Sequence, residues 1–237
     1  MYCFYILRLL PNLPFLVAEA KNIRKVGIKL PALAPYLVIG SGTSNLILLG
    51  ESTVAGVGSS SIENTLAGHV SRFLNGQFTI ENIGKNGLSV KDAHSLFEEK
   101  SNYSGKKIRG IFLYFGAYDC FKLTHPNSFQ EKLNDLIDKI CSKTNPDWIY
   151  LADIPPVHLF PAFSSKMRFF LKTQRLYLQE KLSEIAEYNP KIIFEPISLD
   201  MEPGFFSEDQ VHPSDLGYQK IAEFAIQGIK RAGFLTD

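Results

Sequence analysis

At 237 residues, with 45% hydrophobic and 21% charged side chains, the chain has the composition of one globular domain of ordinary size. A net charge of +1 and the lack of a basic stripe with interleaved aromatics argue against a polyanion, and no nucleic acid partner is expected. Cys3, Cys120 and Cys141 stand at unrelated spacings with no Cys-x-x-Cys pair, so they read as reduced thiols, and neither metal nor redox work is expected of them.

The amino end differs from the rest. Arg8, Lys21, Arg24, Lys25 and Lys29 against Glu19 give residues 1–35 about +4 and leave about −3 elsewhere. Met1 to Val17 is rich in Leu, Phe and Tyr, but Arg8, Pro11 and Pro14 interrupt it, so no uninterrupted apolar run long enough to span a bilayer is present. Ala18-Glu19-Ala20 fits a small-x-small cleavage site, yet the basic n-region of a signal peptide is missing. Residues 1–42 are therefore expected to form an arm, either packed on the domain or touching a membrane surface through residues 1–35. Residues 43–237 are expected to form the main domain, in a cytoplasmic protein.

After a Pro/Gly/Ser-bearing connector, Pro31 to Gly42, the first strand is expected at Asn45–Leu49, followed by a small-residue turn and a helix near Ser61–Leu74. Phe78–Ile83 alternates like a second strand and runs into Gly84-Lys-Asn-Gly87. A helix at Val90–Lys100 precedes Ile108–Phe115, the most apolar run in the chain and hence a central strand. Helical spacing of Phe129, Leu133, Leu136, Ile137 and Ile140 marks Pro126–Lys143, and Trp148–Ala152 is the fourth strand. Pro155 and Pro156 open a loop whose Phe160 and Phe163 are placed to line a pocket. A helix at Ser165–Tyr188, a short strand at Lys191–Glu195 and a last helix at Ser214–Arg231 follow. Five strand–helix alternations predict a three-layer α/β/α domain with a five-stranded parallel sheet, for which the flavodoxin-like order 2-1-3-4-5 is the candidate.

In such a sheet the carboxyl ends of the strands share one rim, where ligands bind. The turns there bring together Ser52, Gly87 and Tyr118, with the loop Glu208-Asp209-Gln-Val-His212-Pro213-Ser214 beside them. A serine hydroxyl needs a general base, usually a histidine whose other nitrogen is held by a carboxylate. His212 and Asp209, three residues apart on one turn, suit those roles, and Ser214 can cap the last helix. Oxyanion donors are sought in the backbone N–H groups of Ser52 and Gly87. His69, His94, His125 and His158 read as surface or capping residues. No dinucleotide fingerprint, phosphate loop, Gly-x-Ser-x-Gly elbow or metal-ligand spacing is found.

Gly50-Glu51-Ser52-Thr53, Asn82-Ile-Gly-Lys-Asn-Gly87, Gly116-Ala-Tyr118-Asp119 and Asp209-Gln-Val-His212-Pro213 follow one another as do the sequence blocks of the SGNH (GDSL) hydrolases, which the chain resembles over about residues 45–230. The resemblance implies Ser52 as nucleophile, Asp209 and His212 as the other triad members, and Ser52 and Gly87 as oxyanion donors. It implies no cofactor and a small-molecule ester or lipid substrate. Two positions depart from the pattern: Glu51 replaces an Asp, and Tyr118 replaces the block-three Asn that supplies a third oxyanion donor. A Tyr118 hydroxyl or Asn86 would have to substitute. The expectation is a serine esterase acting on short-acyl or acetyl esters through an acyl-enzyme. The alternative is a weakly active or non-catalytic binding module at a membrane surface.

Overall fold

The computed structural model describes residues 2–199 and 201–235. Its centre is a six-stranded sheet of order β1-β3-β2-β4-β5-β6. The strands are β1 (Tyr36–Ile39), β2 (Ser44–Gly50), β3 (Phe78–Gly84), β4 (Ile108–Tyr114), β5 (Trp148–Leu151) and β6 (Ile192–Ile193). β2 to β6 are parallel, and counted alone they run in the expected 2-1-3-4-5 order. The sixth strand is a correction to the five expected: β1 lies within the stretch read as a connector and pairs antiparallel with β3, Tyr36 opposite Ile83. It was missed because the short run Tyr36-Leu-Val-Ile39 is hemmed in by Pro31, Pro35, Gly40 and Gly42, whose turn chemistry reads as a connector.

The central strands alternate strictly, and both of their faces are buried. Ile47, Leu49, Ile111, Leu113, Ile149 and Leu151 face one core, covered by α4 (Val90–Lys100), α6 (Pro126–Thr144) and α7 (Ser165–Glu187). Leu46, Leu48, Phe112, Trp148 and Tyr150 face the other, covered by α3 (Leu66–Phe73) and α8 (Asp215–Arg231). The predicted helices match these within a few residues. A short α5 (Ala117–Lys122), invisible as a periodic segment, is added after β4.

Register sets the position of the rim. Gly50 at the end of β2 stands level with Gly84 of β3 and Tyr114 of β4. Ser52, Gly87 and Tyr118 therefore leave the sheet from neighbouring strands at the same height.

The arm is helical, as α1 (Tyr2–Leu9), a 3-10 turn at Leu10–Asn12 and α2 (Leu13–Val26). The prolines expected to interrupt it do not end it. Pro11 falls in the 3-10 turn and Pro14 in the first turn of α2, where a missing N–H leaves no hydrogen bond unmade. Tyr2–Val26 is by length and composition sufficient to cross a membrane. It is nevertheless docked: Tyr5, Leu9 and Leu16 are buried in the same core as α6 and α7. The Tyr5 hydroxyl donates to Phe170 O at 3.3 Å, and the Glu19 carboxylate accepts from the Ser164 amide at 2.8 Å and its hydroxyl at 2.7 Å.

Candidate active site

Ser52 follows β2 in a series of turns rather than at the start of a helix, the Ala55 N–H closing onto Glu51 O at 3.0 Å. This turn is held from below by Asn82, whose buried amide donates to Val54 O at 2.9 Å and Ala34 O at 2.6 Å. Its preceding residue, Glu51, is buried, and its two carboxyl oxygens accept the Ala117 and Tyr118 backbone N–H groups, each at 2.8 Å. Burial pushes the Glu51 carboxyl up to about 8 against the lowering effect of those two donors, and nearby Asp119 adds to the rise. Asp119 accepts in turn from the Val90 N–H at 3.0 Å and the Thr124 hydroxyl at 2.8 Å, and burial likewise raises its pKa. Two buried carboxyl groups thus lock the serine turn, α5 and the start of α4 into one unit.

The Asp209 loop arrives from the other end of the chain as a narrow hairpin, with the Ser207 N–H on His212 O at 2.8 Å and the Ser214 N–H on Phe205 O at 2.9 Å. Asp209 Oδ2 meets His212 Nδ1 at 2.5 Å, while Oδ1 accepts the Val211 and His212 N–H groups at 2.9 Å and the Ser207 hydroxyl at 3.0 Å. Burial alone would raise the Asp209 carboxyl, but the bond from the His212 ring and the backbone donors outweigh it and hold the group down at about 2. Asp209 is therefore ionised near neutral pH and fixes Nδ1 of His212 as a donor, leaving Nε2 as acceptor when the ring is neutral. Ser214 caps α8, accepting the Gly217 N–H at 3.2 Å.

What joins the two chain ends was missed in the sequence. Gly58, at φ +97°, sits where a Cβ would lie 2.5 Å from Pro213 O and 3.2 Å from His212 Cβ, so the serine turn approaches the histidine loop only because this residue is glycine. Asp215 at the head of α8 accepts the Ser60 N–H at 2.8 Å and hydroxyl at 2.5 Å, and the Tyr218 hydroxyl donates to Val57 O at 2.7 Å. Small polar residues at long sequence separation give no local signal for such pairing.

Ser52, Gly87, Tyr118 and His212 all line one cavity of about 490 Å³, together with Asn86 and the predicted Phe160 and Phe163. Among the described residues no hydrogen bond joins Ser52 Oγ to His212, and the backbone N–H groups of Ser52 and Gly87 donate to nothing in the protein. The Tyr118 N–H is taken by Glu51, so only its hydroxyl is free to act. Its ring lies against Gly87, with the hydroxyl 3.9 Å from the position of a Gly87 Cβ. Of the four other histidines, His125 caps α6 and His94 pairs with Glu98 at 3.8 Å. His69, expected at the surface or as a cap, is instead buried beside Arg72. Among the described residues no cluster of three or more His, Cys, Asp or Glu is arranged to hold a metal ion.

A parallel flavodoxin-like sheet carrying a hydroxyl, an aspartate-held imidazole and two free amide N–H groups along one rim belongs to the α/β/α hydrolase class. The family model for GDSL-like lipases and acylhydrolases matches residues 48–220. The chain belongs to that family and is by class a carboxylic ester hydrolase. No curated protein matches it by sequence. Among solved structures it is similar to a lipase/acylhydrolase from Enterococcus faecalis (20% identity, TM-score 0.63, 79% of this chain and 96% of the other). It is also similar to a lipolytic protein of the G-D-S-L family from Veillonella parvula (19%, 0.61, 79% and 99%). A third is the psychrotrophic esterase EstA from Pseudoalteromonas sp., in a form inhibited by monoethylphosphonate (17%, 0.59, 79% and 97%).

Proposed function

We propose that this chain cleaves a carboxylic ester through a Ser52–His212–Asp209 triad and an acyl-enzyme. The observation that carries the reading is the 2.5 Å contact between His212 Nδ1 and Asp209 Oδ2 on the wall of a cavity shared with Ser52. As the ester carbonyl settles beside Ser52, the hydroxyl turns toward His212 Nε2 and hydrogen-bonds to it. Ser52 Oγ attacks the carbonyl carbon while its proton passes to Nε2. The imidazolium is stabilised by ionised Asp209, and the oxyanion accepts from the free Ser52 and Gly87 N–H groups. His212 returns the proton to the leaving alcohol; it then takes a proton from the water that attacks the acyl-enzyme and gives it back to Ser52 Oγ as the Oγ–carbonyl bond breaks and the acid leaves. Protein groups and water suffice for every step.

Tyr118 stands beside Gly87, and its hydroxyl is the third donor in place of the family's Asn. The size and apolar aromatic wall of the cavity support a longer acyl group beside the short-acyl and acetyl esters expected from the sequence. The test is hydrolysis of p-nitrophenyl butyrate by the full chain. Turnover is expected in the wild type and a loss of about a millionfold in kcat in His212→Ala. Turnover that survives this substitution contradicts the triad.

A further inference from the structure

The arm meets the cavity in a way that ester hydrolysis by itself does not require. Leu9, Leu13, Leu16, Ala20 and Ile23 line the same cavity as Ser52 and His212. Their spacing alternates four and three residues, which is one face of a helix. The arm therefore presents a continuous apolar stripe to the site, fastened at one end by Tyr5 in the core and near the other by Glu19 on the head of α7.

The outward side has a different character. Phe4, Leu7, Leu10, Phe15, Val26 and Ile28 are exposed there, at 50% or more, an unusual concentration of apolar surface within so short a segment. Arg8, Lys21, Lys25 and Lys29 are interspersed among them and exposed. The single acidic residue of the segment, Glu19, has both oxygens engaged by Ser164. Exposed aromatics and aliphatics amid uncompensated cations are the chemistry of an anionic bilayer surface. A second copy of the chain would set like charges against each other across a two-fold axis. Crossing the bilayer would pull Tyr5, Leu9 and Leu16 out of the protein core and draw Arg8, Glu19 and Lys21 toward hydrocarbon.

We propose that α1 and α2 form an interfacial wall: the inner stripe encloses the acyl-chain end of the cavity, the outer face lies on anionic lipid, and the substrate is an acyl ester drawn from that bilayer. This rests on the hydrolase reading. An acyl chain entering along the stripe leaves water for protein without crossing the aqueous phase. Each methylene buried there raises kcat/KM about fourfold.

The full chain is tested in two arms. In the first, p-nitrophenyl octanoate is compared with the acetate. The wild type is expected to prefer octanoate, and Ala20→Trp, which fills the stripe, is expected to lower the octanoate-to-acetate ratio of kcat/KM at least about tenfold. In the second, sedimentation with phosphatidylglycerol vesicles is compared with phosphatidylcholine vesicles. The wild type is expected to bind the anionic vesicles selectively. Lys21→Glu/Lys25→Glu, whose side chains lie outside the cavity, is expected to reduce binding about thirtyfold or more with acetate hydrolysis unchanged. A ratio unmoved by Ala20→Trp in a variant of wild-type circular dichroism overturns the proposal, as does wild-type binding that is absent or equal on both vesicles. Ester turnover that survives in Ser52→Ala would instead refute the Ser52 triad, whichever way the vesicles and chain lengths fall.

Discussion

Glu51 makes the most quantitative prediction, because a buried carboxyl next to the nucleophile must leave a mark on stability. Its side chain is buried beneath the serine turn, accepts two backbone N–H groups at 2.8 Å, and holds its proton up to about 8. The free carboxyl titrates near 4.5, so between that value and about 8 the folded chain binds a proton that the unfolded chain has released. The sign follows: Glu51 contributes its full stability below about 4.5, and that contribution falls as pH rises and is gone above about 8. From pH five to pH eight the loss is roughly 3–4 kcal/mol. Glu51→Gln removes the titration while keeping a side chain of similar shape under α5. Urea unfolding of both proteins at the two pH values measures the difference. The wild type should lose roughly 3–4 kcal/mol more than the variant over this range, and the other titrating groups cancel in the comparison. Equal losses in the two proteins would refute the reasoning.

Other substitutions probe the rim. Asp209→Asn leaves the size of the side chain intact but lets His212 take the wrong tautomer, so kcat on a p-nitrophenyl ester should fall about ten-thousandfold with little change in KM. Tyr118→Phe, which deletes only the hydroxyl beside Gly87, should lower kcat by about two to three orders of magnitude, and an unchanged kcat would remove Tyr118 from the oxyanion site. Gly58→Ala forces a Cβ to within 2.5 Å of Pro213 O at φ +97°, and should lower both thermal stability and kcat by pushing the histidine loop from the serine turn.

Much of this arrangement was legible in the residues, and what was not has physical reasons. Runs such as Leu46–Leu49 and Ile111–Leu113 declare central strands because both their faces are buried. The helix expected at about Val90–Lys100 is found over those residues, with Val90, Ala93 and Phe97 buried at helical spacing. Asp209 and His212 were legible as a pair because they stand only three positions apart on one loop. By contrast, the short apolar run of β1 is masked by the prolines and glycines on either side of it, and the prolines of the arm are harmless only because of where the turn falls. α5 exists because Glu51, sixty-six residues earlier, accepts its first N–H groups. The stripe from Leu9 to Ile23 acquires meaning only once the fold lays it beside Ser52. Local chemistry is written in the sequence, whereas contacts between distant segments appear only in the folded chain.

The central claim is that Ser52 is the nucleophile, and covalent labelling tests it most directly. The full chain, incubated with a fluorophosphonate and analysed by intact mass and peptide mapping, should gain one adduct, located on Ser52. Labelling should be lost in Ser52→Ala and strongly slowed in His212→Ala, where the general base is gone. An adduct on another residue, or labelling undiminished in Ser52→Ala, would contradict the account.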